Sequence, residues 1–235
     1  MPAEEGSRTH IAGISSMATR GLLTELAHDY EKRSDRHVTI ESIGGVDALR
    51  RVQSGEAFDF VVLAAEAIER LAREGHVDPA SRVDLARSGV AIAVASGAPR
   101  PDIDSEESLR EAVLAARTVG YSTGPSGVHL ARMFQRWGIA KEIAPRIVQA
   151  PPGVAVGTLL ARGEVALGFQ QLSELVHVSG IDVIGPLPQE IQVTTVFSAA
   201  ACTASTRLDV VAGFLAFLGS PDAAAAKRRH GMEPT

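Results

Sequence analysis

Four turns in the sequence combine small, hydroxyl-bearing or flexible residues at the point where a predicted strand gives way to a predicted helix. They are Ser15-Ser16, Gly44-Gly45, Pro125-Ser126-Gly127 and Pro152-Gly153. Such a turn directs unpaired backbone N–H groups and the positive end of the helix dipole toward whatever lies beyond the strand. A single turn of this kind is explained by serine and glycine being good caps and turn formers. Four together favour a site for a small anion that is held by amides, hydroxyls and dipoles, with no lysine required.

The elements that must position these turns follow from an alternation of apolar runs and helical patterns. Phe58 to Ala64 is a near-continuous apolar run, typical of a buried parallel strand, and the helix predicted over Ala67 to Gly75 ends at a glycine. Alternating strands and helices imply right-handed crossovers onto a mostly parallel sheet with helices on both faces, and ligands usually bind beyond the carboxyl ends of such strands. The other predicted strands are Ile11 to Ile14, Val38 to Ile43, Val90 to Ala95, Thr118 to Ser122, Arg146 to Gln149, Ala166 to Phe169, Ile181 to Ile184 and Gln192 to Cys202, and the other helices include Val46 to Val52, Ser105 to Ala116, Val128 to Trp137, Gly153 to Arg162, Leu172 to His177, Asp209 to Leu218 and Pro221 to His230.

Net charge, the length of the apolar runs and the first residues of the chain indicate which partners and which cellular location to expect. The 235 residues include 23 Lys and Arg against 28 Asp and Glu, a net charge of −5, and the longest basic run is Lys227-Arg228-Arg229, which argues against nucleic acid. No apolar run approaches the roughly 18 residues of a membrane span, so no membrane insertion is predicted. The segment Met1 to Gly6 carries acids and no apolar stretch behind them. We therefore predict a cytoplasmic protein as the sequence is written, or a periplasmic one if a leader has been removed.

Several runs taken in order resemble the molybdate-type periplasmic solute-binding proteins. The resemblance extends over essentially the whole chain and implies a two-lobed type 2 periplasmic-binding fold, α/β in class, with the ligand in the cleft between lobes that close like a hinge. It implies one lobe from residues 1–90 plus 196–235 and an inserted lobe from 91–195, with crossings near Ser88 to Ala93 and Val193 to Ser198. The runs that carry it are Gly13-Ile14-Ser15-Ser16-Met17-Ala18, Ser54-Gly55-Glu56-Ala57-Phe58-Asp59-Phe60-Val61-Val62, Gly163-Glu164-Val165-Ala166-Leu167-Gly168-Phe169-Gln170 and Lys227-Arg228-Arg229-His230-Gly231-Met232.

The resemblance also implies a set of ligand-binding positions, with two departures from the family pattern. Serine is missing at the second turn, where Gly45 or Val46 stands, and the family's tyrosine is replaced by Gln171. These exchanges remove hydroxyl donors that a tetrahedral metal oxyanion needs, whereas amides at Gln170 and Gln171 suit carboxylates. We therefore predict an organic di- or tricarboxylate as the ligand. The predicted ligand-binding residues are Ser15, Ser16, Gly44, Gly45, Val46, Arg87, Ser126, Gly127, Val154, Gln170 and Gln171.

An enzyme of the same fold is the alternative, because the chain also resembles aconitate isomerase-like members of this branch. Moving a double bond requires a base that removes a proton from one carbon. His129, three residues after Ser126, is one candidate, and a capping or surface histidine is the plainer interpretation. Glu66 is the other, and it equally suits an acid complementing a helix N-terminus. Arg87, with Arg82 nearby, is placed to pair with substrate carboxylates, although such arginines more often bridge to neighbours.

Other kinds of site are not indicated by the sequence. It contains no Walker loop, GxGxxG, HExxH or GxSxG motif, and the histidines lack the spacing of metal ligands, so neither a cofactor nor a metal is predicted. Asp59, inside an apolar strand, is interpreted as a buried acid that positions a turn, and Cys202 has no histidine nearby. The predicted partner is a small anionic ligand; a second alternative is the molybdate- or tungstate-binding component of an ABC transporter, with a permease as partner only if the protein is exported.

Overall fold

The computed structural model describes residues 9–151 and 153–235. The segment Met1 to Gly6 and Pro152 of the predicted Pro152-Gly153 turn lie outside these residues. The strands are β1 (Thr9–Ser16), β2 (Arg36–Ile43), β3 (Phe60–Ala64), β4 (Val83–Ala95), β5 (Val119–Tyr121), β6 (Ile147–Gln149), β7 (Leu167–Gln171), β8 (Ile181–Pro186), β9 (Thr194–Ala201) and β10 (Glu233–Pro234). The helices are α1 (Arg20–Arg33), α2 (Gly45–Gln53), α3 (Ala65–Arg73), α4 (Glu106–Ala115), α5 (Pro125–Arg136), α6 (Ala140–Ile143), α7 (Val156–Ala161), α8 (Leu172–Leu175), α9 (Leu208–Gly219) and α10 (Ala224–Arg229).

The chain divides into two compact units, and the division falls inside two long strands. The first unit comprises the described residues up to Ala86, Val196–Arg229 and Glu233–Thr235, and the second comprises Arg87–Thr195 and His230–Met232. The chain therefore leaves the first unit within β4 and returns to it within β9.

The first unit is built on the sheet order β2-β1-β3-β9. β1 pairs in parallel with β2 from Thr9 to Ser16 and in parallel with β3, while β9 runs antiparallel to β3. Because β1, β2 and β3 are parallel, their carboxyl ends meet at one edge of the sheet. The turns that follow these three strands are thereby placed side by side.

Apolar side chains cover both faces of this sheet. On one face Val61 and Leu63 of β3 pack with Ile68 and Leu71 of α3 in a buried cluster. Elsewhere in the same unit Phe60 meets Phe214 of α9 edge to face, with ring centroids 5.2 Å apart. The Phe60 ring also lies where a side chain at position 13 would have to stand, since a Cβ built on Gly13 would come within 2.3 Å of it. Helices on both faces fit the predicted architecture.

The second unit has the order β4-β7-β5-β6, with β8 also pairing with β4. β5 is parallel to both β6 and β7, whereas β4 is antiparallel to β7 and to β8. The carboxyl ends of β5, β6 and β7 therefore meet at one edge, as those of β1, β2 and β3 do in the first unit. Two buried clusters cover this sheet, one including Leu130 and Phe134 of α5 and the other including Val156 and Leu160 of α7.

The first residues of α4, α5 and α7 can be compared with the starts predicted from the sequence. Ser105 caps α4, since its hydroxyl accepts from the Ser108 N–H and the Ser108 side chain accepts from the Ser105 N–H. α5 starts at Pro125, earlier than the predicted Val128, because proline is suited to the first helical position. α7 starts at Val156, later than the predicted Gly153.

Candidate functional site

Three helices of the first unit begin at the edge where its parallel strands end. β1 ends at Ser16 and continues into a single 3-10 turn before α1, β2 is followed by Gly44 and α2, and β3 passes directly into α3. The first two turns are in contact, since a Cβ built on Gly45 would lie 3.6 Å from the Ser16 Cβ. The structure thus brings the Ser15-Ser16 and Gly44-Gly45 turns together.

The two serines at the end of β1 have different surroundings. The Ser15 hydroxyl is 2.8 Å from the Ser42 hydroxyl of β2 and also donates to the Ser16 carbonyl oxygen at 3.3 Å. The Ser16 hydroxyl is buried and has no hydrogen-bond partner in the part of the chain that the structure describes. A buried hydroxyl without a partner is uncommon in folded proteins. Ser16 is therefore available to a ligand, whereas Ser15 is already used in holding β1 to β2.

The first turn of α2 offers amides and an apolar side chain. Gly44 is the N-cap, and its carbonyl accepts from the Ala48 N–H, so that the N–H groups of the first residues of the helix have no partner within it. Val46 is 45% exposed, although most residues of its type are buried. The position where the family resemblance implies a serine thus presents methyl groups next to backbone donors.

The three charged residues predicted near the ligand or its carboxylates, Glu66, Arg82 and Arg87, are not buried. Glu66 lies in the first turn of α3 and is exposed, which fits an acid at the positive end of a helix. Arg82 donates to Glu69 and Asp84, both at 2.9 Å, and is occupied by these ion pairs. Arg87, the first residue of the second unit, is exposed and makes no ion pair with the residues described.

In the second unit, the turn between β5 and α5 is tightly folded. A Cβ on Gly127 would come within 1.7 Å of the Ser122 carbonyl oxygen, so only glycine fits there. Ser126 is buried beside it. His129 is half-buried, and its Nε2 atom is shielded from water with no hydrogen-bond partner in residues 9–151 and 153–235.

The turn before α7 and the end of β7 are joined by side-chain hydrogen bonds. The Gln170 amide oxygen accepts from the Val156 N–H at 2.8 Å, which fixes the start of α7, and its amide nitrogen donates to Glu174 at 2.7 Å. The Val154 N–H donates to the Pro151 carbonyl oxygen at 3.0 Å. The amides of Gln170 and Val154 are therefore already engaged within the unit.

Gln171 is engaged as well, and its partners belong to β4 and β9. When the side-chain amide is oriented so that both its nitrogen and its oxygen have partners, Gln171 donates to the Ser88 carbonyl oxygen at 2.9 Å and accepts from the Thr195 hydroxyl at 2.9 Å. Both partners stand next to the points where the chain passes between units. The residue that replaces the family's tyrosine thus ties β7 to these two strands.

Glu174, which no sequence pattern singled out, has an unusual electrostatic setting at this edge. Burial raises the pKa of its carboxyl to about 7, although the hydrogen bond from Gln170 favours the charged form. The only sequence signal was an acid three residues after the family's tyrosine position. That signal is weak, because an acid in the first turn of a helix is ordinary.

Two residues interpreted as non-catalytic are in settings that agree with that interpretation. Asp59 is buried and accepts from the Ala12 N–H at 2.9 Å and the Ser205 hydroxyl at 2.6 Å, so it positions neighbouring segments. Burial and the nearby Asp59 raise the pKa of the Cys202 thiol to about 12, which leaves it without thiolate character.

The described residues form neither a metal-binding cluster nor a single membrane-spanning helix. Within the described ranges, no three His, Cys, Asp or Glu side chains are grouped so as to hold a metal ion. No single helix among them is long and apolar enough to cross a bilayer; one bent pair, Leu208–Gly219 with Pro221–Arg229 at 56°, meets the length and composition criteria together.

Known proteins resemble this chain over nearly its whole length. The family described as bacterial extracellular solute-binding protein matches residues 11–233. A protein of Pseudomonas sp. named aconitate isomerase is 36% identical over 234 residues, covering 96% of this chain and 88% of that protein.

Two solved structures share the fold at low sequence identity. The periplasmic molybdate-binding protein of Azotobacter vinelandii gives a TM-score of 0.80 at 19% identity, covering 96% of this chain and 99% of that one. A periplasmic thiamin binding protein gives 0.79 at 17% identity, covering 100% and 86%. The predicted periplasmic-binding fold and the resemblance to molybdate-binding proteins are confirmed.

Proposed function

Because the chain belongs to the bacterial extracellular solute-binding protein family, we propose that it binds a small organic anion, a di- or tricarboxylate. The fold alone leaves the ligand open, since structures of this fold are named for molybdate and for thiamin. The choice rests on the turns of the first unit, where the Ser16 hydroxyl is buried without a partner in the described residues and Val46, the residue after Gly45, exposes its methyl groups.

Two features of these turns favour a carboxylate with a carbon skeleton. The Ser16 hydroxyl and the free N–H groups of α2 supply donors to one carboxylate, assisted by the helix dipole. Val46 offers apolar contact that suits methylene carbons and gives nothing to a tetrahedral oxyanion, whose four oxygens all require donors. In the second unit, Ser126 and Gly127 at the start of α5 would supply donors of the same kind. Arg87, exposed and without an ion pair among the described residues, would pair with a further carboxylate.

A thermal-shift panel tests the ligand class, because a ligand that binds only the folded protein raises the melting temperature. The panel contains molybdate, tungstate, sulfate, succinate, citrate, cis-aconitate and trans-aconitate. We expect shifts with the di- or tricarboxylates and none with the metal oxyanions. A shift with molybdate or tungstate and none with any carboxylate would overturn the proposal and favour the oxyanion-binding component of an ABC transporter.

A second candidate function is isomerisation of aconitate by proton transfer. It is favoured by one specific observation, the 36% identity to a protein named aconitate isomerase across 96% of this chain. Binding would then be the first step of the reaction, so the two candidates are compatible. Incubating the purified protein with trans-aconitate and following cis-aconitate by proton NMR separates them. Binding without turnover would indicate a binding protein and no enzyme. If such a protein is exported, we expect a periplasmic location and a permease as its partner.

The sequence-derived bases for this reaction are His129 and Glu66. His129 follows Ser126 and Gly127 by less than one helical turn, and its Nε2 atom has no partner in the described chain. Glu66 is exposed at the start of α3. Loss of turnover in His129→Gln with retained ligand binding would support His129 as a base, and unchanged turnover would remove it.

A further inference from the structure

Glu174 occupies a defined place at the edge of the second unit where its parallel strands end. It lies on α8, which begins directly after β7, and the carboxyl ends of β5 and β6 meet β7 at this same edge. Ligands of α/β sheets are bound at such edges. The turn carrying Ser126 and Gly127 follows β5 there, so Glu174 and the second unit's predicted ligand donors share one edge.

The Glu174 side chain is held in place by a short hydrogen-bonded chain. Its carboxylate accepts from the Gln170 amide at 2.7 Å, and the same amide group accepts from the Val156 N–H at 2.8 Å. The carboxylate is thereby tied to the start of α7 as well as to β7. Because the Gln170 amide is itself held by the Val156 N–H, it orients the Glu174 carboxylate more precisely than a surface side chain could.

The surroundings of this carboxylate are poor in charge. β7 and α7, which pack against α8, carry no titratable side chain, and no Lys or Arg of the described chain forms an ion pair with Glu174. His177, three residues after Glu174, meets the ring of His230 edge to face, with the ring centroids 4.8 Å apart. Burial without a cation is the reason that the pKa of Glu174 rises to about 7.

We propose that Glu174 is the group that carries the proton during isomerisation of the tricarboxylate, an inference that rests on the second candidate function above. In this step the Glu174 carboxylate takes a proton from the methylene carbon, and the C–H electron pair forms a new double bond to the central carbon. The electrons of the old double bond move to the former vinyl carbon, which takes back a proton from the Glu174 carboxyl. One C–H bond breaks and one forms, so no oxidant, reductant or cofactor is required.

The pKa of Glu174 suits a residue that must carry a proton from one carbon to another. A proton carrier works best when its pKa lies near the working pH, since it must both accept and return the proton. Among the residues described at this edge of the second unit, Glu174 has a carboxyl that meets this condition. Glu66, by contrast, is an exposed residue of the other unit.

The test compares Glu174→Gln with wild type and with the control Glu164→Gln, an exposed carboxylate of the same unit. We expect Glu174→Gln to lower kcat for aconitate isomerisation at least 100-fold while KM and the thermal shift with aconitate stay within about threefold of wild type. It should also abolish exchange of substrate C–H hydrogens with D2O, followed by NMR. Glu164→Gln should retain wild-type kcat.

The outcomes separate this inference from the function on which it rests. No turnover of aconitate by wild type overturns the isomerase function and Glu174 with it. Turnover that Glu174→Gln retains overturns Glu174 alone. Equal loss of kcat and of ligand binding in Glu174→Gln would identify a structural residue and also overturn the proposal.

A second variant tests Glu174 through its pH profile and does not require the carboxylate to be removed. In wild type we expect kcat/KM to rise with pH through a group titrating near 7. Gln170→Met deletes the hydrogen bond that favours the charged carboxylate, so the rise should move to higher pH while the alkaline plateau of kcat stays within tenfold. A profile that keeps its position in Gln170→Met would contradict the assignment.

Discussion

Ser15 and Ser16 are adjacent hydroxyls at the end of β1 that differ in whether a partner is already present. Ser15 is bonded to Ser42 and to a backbone carbonyl, while the buried Ser16 hydroxyl has no partner in the described residues. The sequence predicted both as ligand residues because a Ser-Ser pair at a strand end carries no information on which hydroxyl will be used by the neighbouring strand. That choice depends on the register of β1 and β2, which places Ser15 opposite Ser42.

The pair therefore provides a matched comparison. Ser16→Ala should weaken carboxylate binding by roughly tenfold to a hundredfold, since a hydrogen bond to a charged group contributes about 1.5–3 kcal/mol. It should leave the free energy of unfolding almost unchanged, because no internal bond is lost. Ser15→Ala should do the reverse and cost about 1 kcal/mol of stability. Calorimetric titration with citrate or aconitate and urea unfolding measure the two effects; equal loss of affinity in both variants would contradict the distinction.

The raised pKa of Glu174 leads to a prediction about the stability of the protein that does not depend on any activity. Its pKa is raised from 4.5 to about 7 by burial, so between these values the folded protein binds a proton that the unfolded chain has released. This contribution is fully present below the unfolded pKa and is lost as the pH rises through the folded one.

Glu174→Gln should accordingly gain stability relative to wild type as the pH increases. The difference in unfolding free energy between the two proteins should grow by about 3 kcal/mol from pH 4 to pH 8, at 1.36 kcal/mol per pKa unit. Urea unfolding across this range measures it, with Glu164→Gln as the control that should track wild type. A difference that does not change with pH would show that the carboxyl titrates normally.

At the scale of elements, the ends of helices were less predictable than their existence. The alternation of apolar runs and turns predicted β1 to β9, although β4 begins at Val83 and not at the predicted Val90; β10 and α6 were not predicted. α7 begins at Val156 because a side chain 14 residues away, Gln170, accepts its first N–H. The amides of Gln170 and Gln171, predicted to face a ligand, are instead bonded within the unit. Such tertiary hydrogen bonds have no signature in a local sequence pattern.

The turn before α5 is the element whose geometry is most constrained by sequence. Gly127→Ala would place a Cβ within 1.7 Å of the Ser122 carbonyl oxygen, so the start of the helix must move. We expect a loss of about 1–3 kcal/mol in unfolding free energy, typical of overpacking, together with weaker ligand binding. Gly124→Ala, three residues earlier, meets only the Ser122 hydroxyl at 3.7 Å and should cost less than 1 kcal/mol. Urea unfolding of both variants checks this, and similar losses in the two would contradict it.

At the scale of the whole molecule, the fold was predictable because the order of the motifs extends over the chain. The family match extends over residues 11–233, a range that contains all the runs from which the fold was inferred. The ligand was harder to infer, because it depends on exchanges at single positions such as Val46 and Gln171. The net charge of −5 likewise argues against nucleic acid as a partner but does not oppose an anion, since helix ends supply a positive field over short distances.

This combination of a negative molecule and short-range positive turns predicts how salt affects the rate of ligand binding. The field of the whole protein repels a trianion at distances beyond the turns, and raising the salt from 0.01 M to 0.15 M shortens the screening length from about 30 Å to about 8 Å. The association rate constant of citrate at pH 8 should therefore rise with salt, because repulsion is screened while the contacts at the turns are formed only at short range. Stopped-flow measurement at constant pH checks this, with succinate, which carries less charge, expected to show a smaller rise. A rate that falls steeply with salt would reveal a positive patch that steers the ligand, and anion capture would then depend on side-chain cations such as Arg87 more than on helix ends and hydroxyls.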